Sequence, residues 1–136
     1  MSRSGYSDSC DGFELICWRG AVASAIRGMR GQELLHGMAS ALDAMPDKRL
    51  IAGKLIDADD QVCALGSLGV ACGRSAALRG VDADDYEQVA KFFNVSEALA
   101  REIQFVNDEM GPWSGETPEQ RWHRVREWVR RQITLK

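Results

Sequence analysis

Apolar residues recur at three- and four-residue spacing along most of the chain, and this periodicity predicts helices. Leu15, Trp18, Val22 and Ile26 share one face of a segment running to about Arg27. Asp11 is placed to cap its start, with Glu14 three residues on as in a capping box. Gly28 is read as the left-handed residue that ends the helix, and Gly31 as the point where the chain restarts. Leu34, Leu35, Met38, Ala41, Leu42 and Met45 then form a second stripe, stopped by Pro46. A link of about five residues between the two predicts an antiparallel helix pair.

The pattern changes between Leu50 and Leu65. Two short apolar runs, Leu50–Ile56 and Gln61–Leu65, flank the turn-rich Asp57-Ala58-Asp59-Asp60, which reads as a β-hairpin with a polar tip. Leu65, Leu68 and Cys72 return to helical spacing, with Gly73 as a cap. Asp82 is expected to cap a helix over Tyr86–Phe93, and Ser96 one running from Glu97 to about Asp108 with Leu99, Ile103 and Val106 inward. Gly111–Gly115 is a break. Thr117-Pro118-Glu119-Gln120 opens the last helix with a cap, an N1 proline and a capping-box glutamine. Its stripe is Trp122, Val125, Trp128, Val129 and Ile133. The expected fold is mainly α, a single domain over 11–136 of five to six helices with one small β-hairpin near Leu50–Leu65, preceded by a mobile arm over 1–10.

Composition agrees with a globular domain: 136 residues, 45% hydrophobic and 27% charged, enough to bury one core without staples. Arg19, Arg27 and Arg30 interrupt the best apolar run, so no membrane span is expected. The N-terminus lacks the order of a signal peptide, and a cytoplasmic location with reduced thiols is the expectation. The net charge of −3 is unevenly spread. Leu55–Glu116 carries twelve acids against four cations, net −8, whereas the segment from Thr117 onward is net +4. Such a chain can engage charged partners at either end, or pair its basic tail with its own acidic middle.

Sites of chemistry are few. Cys10, Cys17, Cys63 and Cys72, spaced by seven, forty-six and nine, match no zinc knuckle. Cys17, Cys63 and Cys72 read as small buried hydrophobes. No metal or other cofactor is expected. His36 and His123 form no recognisable triad with a nucleophile. Asp-Ala-Asp-Asp occurs at Asp57–Asp60 and Asp82–Asp85, without the glycine and terminal glutamate of a calcium loop. Val89–Ile103 has helix-turn-helix spacing, with Asn94 at the turn and a Ser96 cap. Its second helix presents Glu97, Glu102, Asp108 and Glu109 against Arg101 alone, the wrong sign for phosphate contact. The last helix is the better candidate surface: Arg124, Arg130 and Arg131 flank its tryptophan stripe, a composition suited to an acidic protein face or a nucleic-acid backbone.

Gly5-Tyr6-Ser7-Asp8, Trp18–Gly28, Arg49–Ala52 and Val62–Gly66 together resemble a family of small bacteriophage and prophage proteins. The resemblance covers most of the chain and carries no catalytic signature. It implies an accessory protein of the host bacterial cytosol that binds and blocks or modulates a host protein. An anti-defence inhibitor of the anti-CRISPR kind is one such role. The alternative is a nucleic-acid-associated accessory factor that uses the basic last helix.

Overall fold

Gly28 alone separates the first two helices, α1 (Gly12–Arg27) and α2 (Met29–Ala44). The computed structural model describes residues 12–112 and 115–134, with side chains from residue 16 onward. The expected arm over 1–10, the Asp11 and Glu14 cap, Cys10 and the Leu15 side chain lie outside the described residues. Gly28 is extended (φ −69°, ψ 163°) and not left-handed, and Gly31 lies within α2. A Cβ at Gly31 would sit 1.9 Å from the carbonyl oxygen of Ala25. The glycine is therefore there for close approach of α2 to the end of α1, and the five-residue link does not exist.

The remaining described helices are α3 (Ala64–Ala71), α4 (Ser75–Leu78), α5 (Tyr86–Phe93), α6 (Glu97–Glu109) and α7 (Pro118–Gln132). The mainly helical expectation holds, with seven helices among the described residues in place of five to six. Gly73 follows α3 in the left-handed region (φ 74°), as a helix-ending glycine should. The cap of α5 is Asp85, whose carboxylate accepts from the Gln88 N–H at 3.1 Å. Asp82 instead turns its carboxylate onto the Asp84 N–H. Ser96 caps α6 through the Leu99 N–H, and Thr117 and Gln120 form the capping box of α7.

The β-hairpin is not found. Between Leu50 and Cys63 the described residues form an irregular loop with one isolated antiparallel bridge, Ile56 to Val62. A few of its backbone groups pair across the loop, and others are satisfied from the helices. The Asn107 side chain donates to the Ile51 carbonyl at 2.9 Å and accepts from the Ala64 N–H at 3.1 Å. Arg121 donates to the Leu50 carbonyl at 2.9 Å, and the Leu50 N–H reaches the Pro118 carbonyl at 3.0 Å. Alternating apolar residues thus anchor a loop (Leu50, Leu55 and Val62 are buried), because side-chain partners replace the ladder a hairpin requires.

The core is built around α6, which packs against α1, α3, α5 and α7. Its Leu99, Ile103 and Val106 are buried with Leu35, Met38 and Leu42 of α2 and Val125 and Val129 of α7. Val22 of α1 is buried, whereas Trp18 and Ile26 are only partly covered. Trp122 is buried and donates its indole N–H to the Leu42 carbonyl at 3.2 Å, fixing α7 on the end of α2. No helix among the described residues is long and apolar enough to cross a membrane.

Candidate functional site

The arginines of α7 divide into two groups with different surroundings. Arg124 aims at the end of α6. Its Nε and Nη2 donate to the two oxygens of Glu116 at 2.6 and 2.9 Å. Nη1 and Nη2 also reach the Val106 and Asn107 carbonyls at 2.5 and 3.2 Å. These carbonyls belong to the last turn of α6, where no helical donor remains, so the guanidinium serves as a C-terminal cap. The Glu116 side chain is only 5% exposed, and the Arg124 hydrogen bonds hold its carboxyl below the usual carboxylate range. Arg121 lies 3.4 Å from the same carboxylate.

Further along α7, Arg126 forms a two-pronged pair with Asp43 of α2 at 2.7 and 2.9 Å. That pair lowers the Asp43 pKa and raises that of Arg126. Arg130 is exposed and paired with Glu127 one turn back at 3.0 and 2.5 Å. Arg131 is exposed and makes no ion pair among the described residues. Much of the +4 charge of this segment is therefore matched inside the molecule. Arg124 is separated from the solvent-facing Arg130 and Arg131 by two helical turns.

One buried amide assembles the exposed end of this surface. Gln32 of α2 donates from Nε2 to the carbonyls of Ile26 (2.7 Å) and Gln132 (3.1 Å) and accepts from the Thr134 N–H (3.0 Å). The ends of α1 and α7 and the first turn of α2 are thereby tied at one point. The corner so formed carries exposed Arg27, Arg30 and Arg131, with Met29, which is 78% exposed, at the head of α2. Arg30 makes a long hydrogen bond to the Asn94 side chain at 3.4 Å. The sequence pattern misses Arg27, Met29 and Arg30 as surface partners because Arg27 reads as the end of the first helix and Met29 and Arg30 as a turn between helices. The usable signal was the Arg-Gly-Met-Arg run itself, a large apolar residue set between cations.

The helix-turn-helix look-alike is present as local geometry. Asn94 is left-handed (φ 55°, ψ 48°) between α5 and α6. Yet α6 is the central helix, with Ala98, Leu99, Glu102, Ile103, Val106 and Asn107 buried, and its exposed and part-exposed positions include the acids Glu97, Asp108 and Glu109, the wrong sign for a DNA groove. Arg101 stacks over the rings of Trp18 and Tyr86 at 4.9 and 5.3 Å, so its charge covers aromatic surface.

Of the cysteines, Cys63 is buried and caps α3, its sulfur 3.4 Å from the Gly66 N–H. Cys17 and Cys72 are exposed, contrary to the buried reading, because each falls on the outer side of its short apolar run. His36 is exposed, and His123 is exposed with its ring edge-to-face on Trp122. Among the described residues no three histidine, cysteine or acidic side chains are grouped as metal ligands.

Comparison with protein-family models, with curated proteins and with solved structures finds no match.

Proposed function

We propose that the protein acts stoichiometrically, by binding and blocking or modulating a host bacterial protein in the cytoplasm. The contact surface is the corner of Arg27, Met29, Arg30 and Arg131, with Arg130 beside it on α7. The resemblance to bacteriophage and prophage proteins supports the role, of which an anti-defence inhibitor is one form. One observation carries the choice of surface: the Gln32 amide ties the carbonyl of Ile26, next to exposed Arg27, to that of Gln132, next to exposed Arg131, at the first turn of α2, where Met29 and Arg30 are exposed. Methionine and arginine are enriched at protein interfaces, and arginine is among the residues that dominate binding energy. The partner face is acidic with an apolar recess. Arg124 is set aside as a contact, since its guanidinium is occupied by Glu116 and the end of α6.

The test is affinity capture from bacterial lysate with the wild-type chain and with a Met29→Ser, Arg27→Glu, Arg131→Glu triple variant. The expected result is one protein retained at equimolar ratio by the wild type and lost with the variant, both chains unfolding alike. Retention by both would remove this corner. Capture of nucleic acid, with affinity falling steeply as salt rises, would replace the reading with the accessory-factor alternative.

A further inference from the structure

A second surface, remote in sequence from the basic corner and opposite in charge, lies where the 50–63 loop faces the end of α2 and the outer side of α3. It is an open groove of about 430 Å³ with an apolar floor of Met45, Pro46, Val62 and Val70. Asp47 and Asp59 stand at its rim, both exposed. Other charges near the groove are matched: Asp60 pairs with Arg79, and Arg49 lies 3.7 Å from Glu119. Asp47 and Asp59 make no ion pair among the described residues, so the rim carries two carboxylates in search of a cation.

The groove is also preformed. The Asp57 carboxylate accepts from the Asp59 and Gln61 N–H groups, both at 2.9 Å, which sets the rim turn. The Ile51 N–H to the Val62 carbonyl (2.9 Å) and the Cys63 N–H to the Leu55 carbonyl (3.2 Å) hold the wall. Val70 remains 43% exposed on the floor, although its neighbours Leu65 and Ser67 are buried. A rigid recess costs little to order on binding, and an exposed apolar floor between like charges favours one kind of occupant.

We infer that this groove binds a short segment of a partner protein that places an aliphatic side chain over Val62 and Val70 and a neighbouring lysine or arginine against Asp47 and Asp59. The inference is independent of the basic corner. Apolar burial supplies the affinity, and the two rim carboxylates select against acidic segments.

The experiment is an NMR titration of the ¹⁵N-labelled full chain with a short peptide of alternating arginine and leucine, and with its glutamate–leucine counterpart. Saturable shifts confined to the amides of 59–62 and 67–70, seen with the arginine peptide only, are expected. The double variant Asp47→Asn, Asp59→Asn should weaken binding about fivefold, and Val70→Ser should weaken it at least as much, both variants keeping the wild-type circular dichroism spectrum. No localised shifts, equal shifts from the acidic peptide, or an unchanged affinity in both variants would overturn the proposal. The same amides shifting with protein concentration alone would overturn it too, in favour of a second copy of the chain.

Discussion

Arg124 and Glu116 meet through two parallel hydrogen bonds, 2.6 and 2.9 Å, at a carboxylate almost wholly removed from solvent. The same guanidinium satisfies two carbonyls of the last turn of α6, so one side chain closes the central helix and fixes the segment leading into α7. Arg124→Ala should therefore cost about 2–4 kcal/mol, because it leaves a buried carboxylate with Arg121 alone and uncaps a helix. Arg130→Ala, at an exposed pair, should unfold like the wild type. Urea unfolding of both variants checks the contrast.

Acid should expose the same arrangement. Hydrogen bonds from Arg124 and Arg126 hold the Glu116 and Asp43 carboxyls below their ordinary values in the folded state. The unfolded chain then binds more protons in mildly acidic solution, so stability rises with pH through that window. It should be fully present above about pH 5 and decline as the pH falls through the lowered folded-state values. Arg124→Ala should flatten this decline more than Arg126→Ala, since Asp43 is half exposed and its pair is screened by solvent. Unfolding midpoints measured across the acid range provide the check.

Two glycines in neighbouring helices should respond in opposite directions to the same substitution. Gly31→Ala forces a methyl against the Ala25 carbonyl and should destabilise by more than about 2 kcal/mol. Gly20 lies mid-helix in α1 with nothing within 4 Å of an added Cβ. Gly20→Ala should gain about 0.5–1 kcal/mol from backbone entropy. Thermal unfolding of the pair is sufficient, and equal effects would contradict the close approach of α2 to α1.

Thiol labelling of the native chain should separate the described cysteines. Cys17 and Cys72 are exposed and should react with a maleimide promptly. Cys63 is buried where the 50–63 loop joins α3 and should react only on opening. Asn107→Ala, which removes two hydrogen bonds holding that loop and α3, should speed Cys63 labelling without changing the other two. Peptide mapping by mass spectrometry distinguishes the sites.

The helices from Glu97 onward were legible in the sequence because caps and stripes agree there: Ser96, then Thr117-Pro118 with Gln120, each followed by apolar residues at one period. The loop over Leu50–Cys63 was not. Its alternating apolar residues obey the rule for a strand, but several of its backbone groups take Asn107 and Arg121 as partners, far along the chain, and no local pattern encodes them. The α1–α2 join failed for a related reason. Glycine at Gly31 marks both a turn and a close contact, and only the position of Ala25 in space tells them apart. For the candidate surface, the sequence supplied the charge of the last helix but not its bookkeeping. Arg124 and Arg131, seven residues apart, fall within about 20° of each other on a helical wheel, yet one is enclosed by Glu116 and the other faces water.

Helix α6 has a consequence for how uniquely the chain can pack. Apolar side chains alone would let a central helix slide by one turn, about 5.4 Å, and still bury a similar area. Glu102, whose carboxylate meets Arg19 at 2.6 Å, and Asn107, tied to Ala64 and Ile51, face different neighbours from the same buried helix. A one-turn slip would leave both polar groups enclosed without those partners. Buried polarity here acts as a register mark: the competing alignments become the costly ones, and a single axial position is left for the helix.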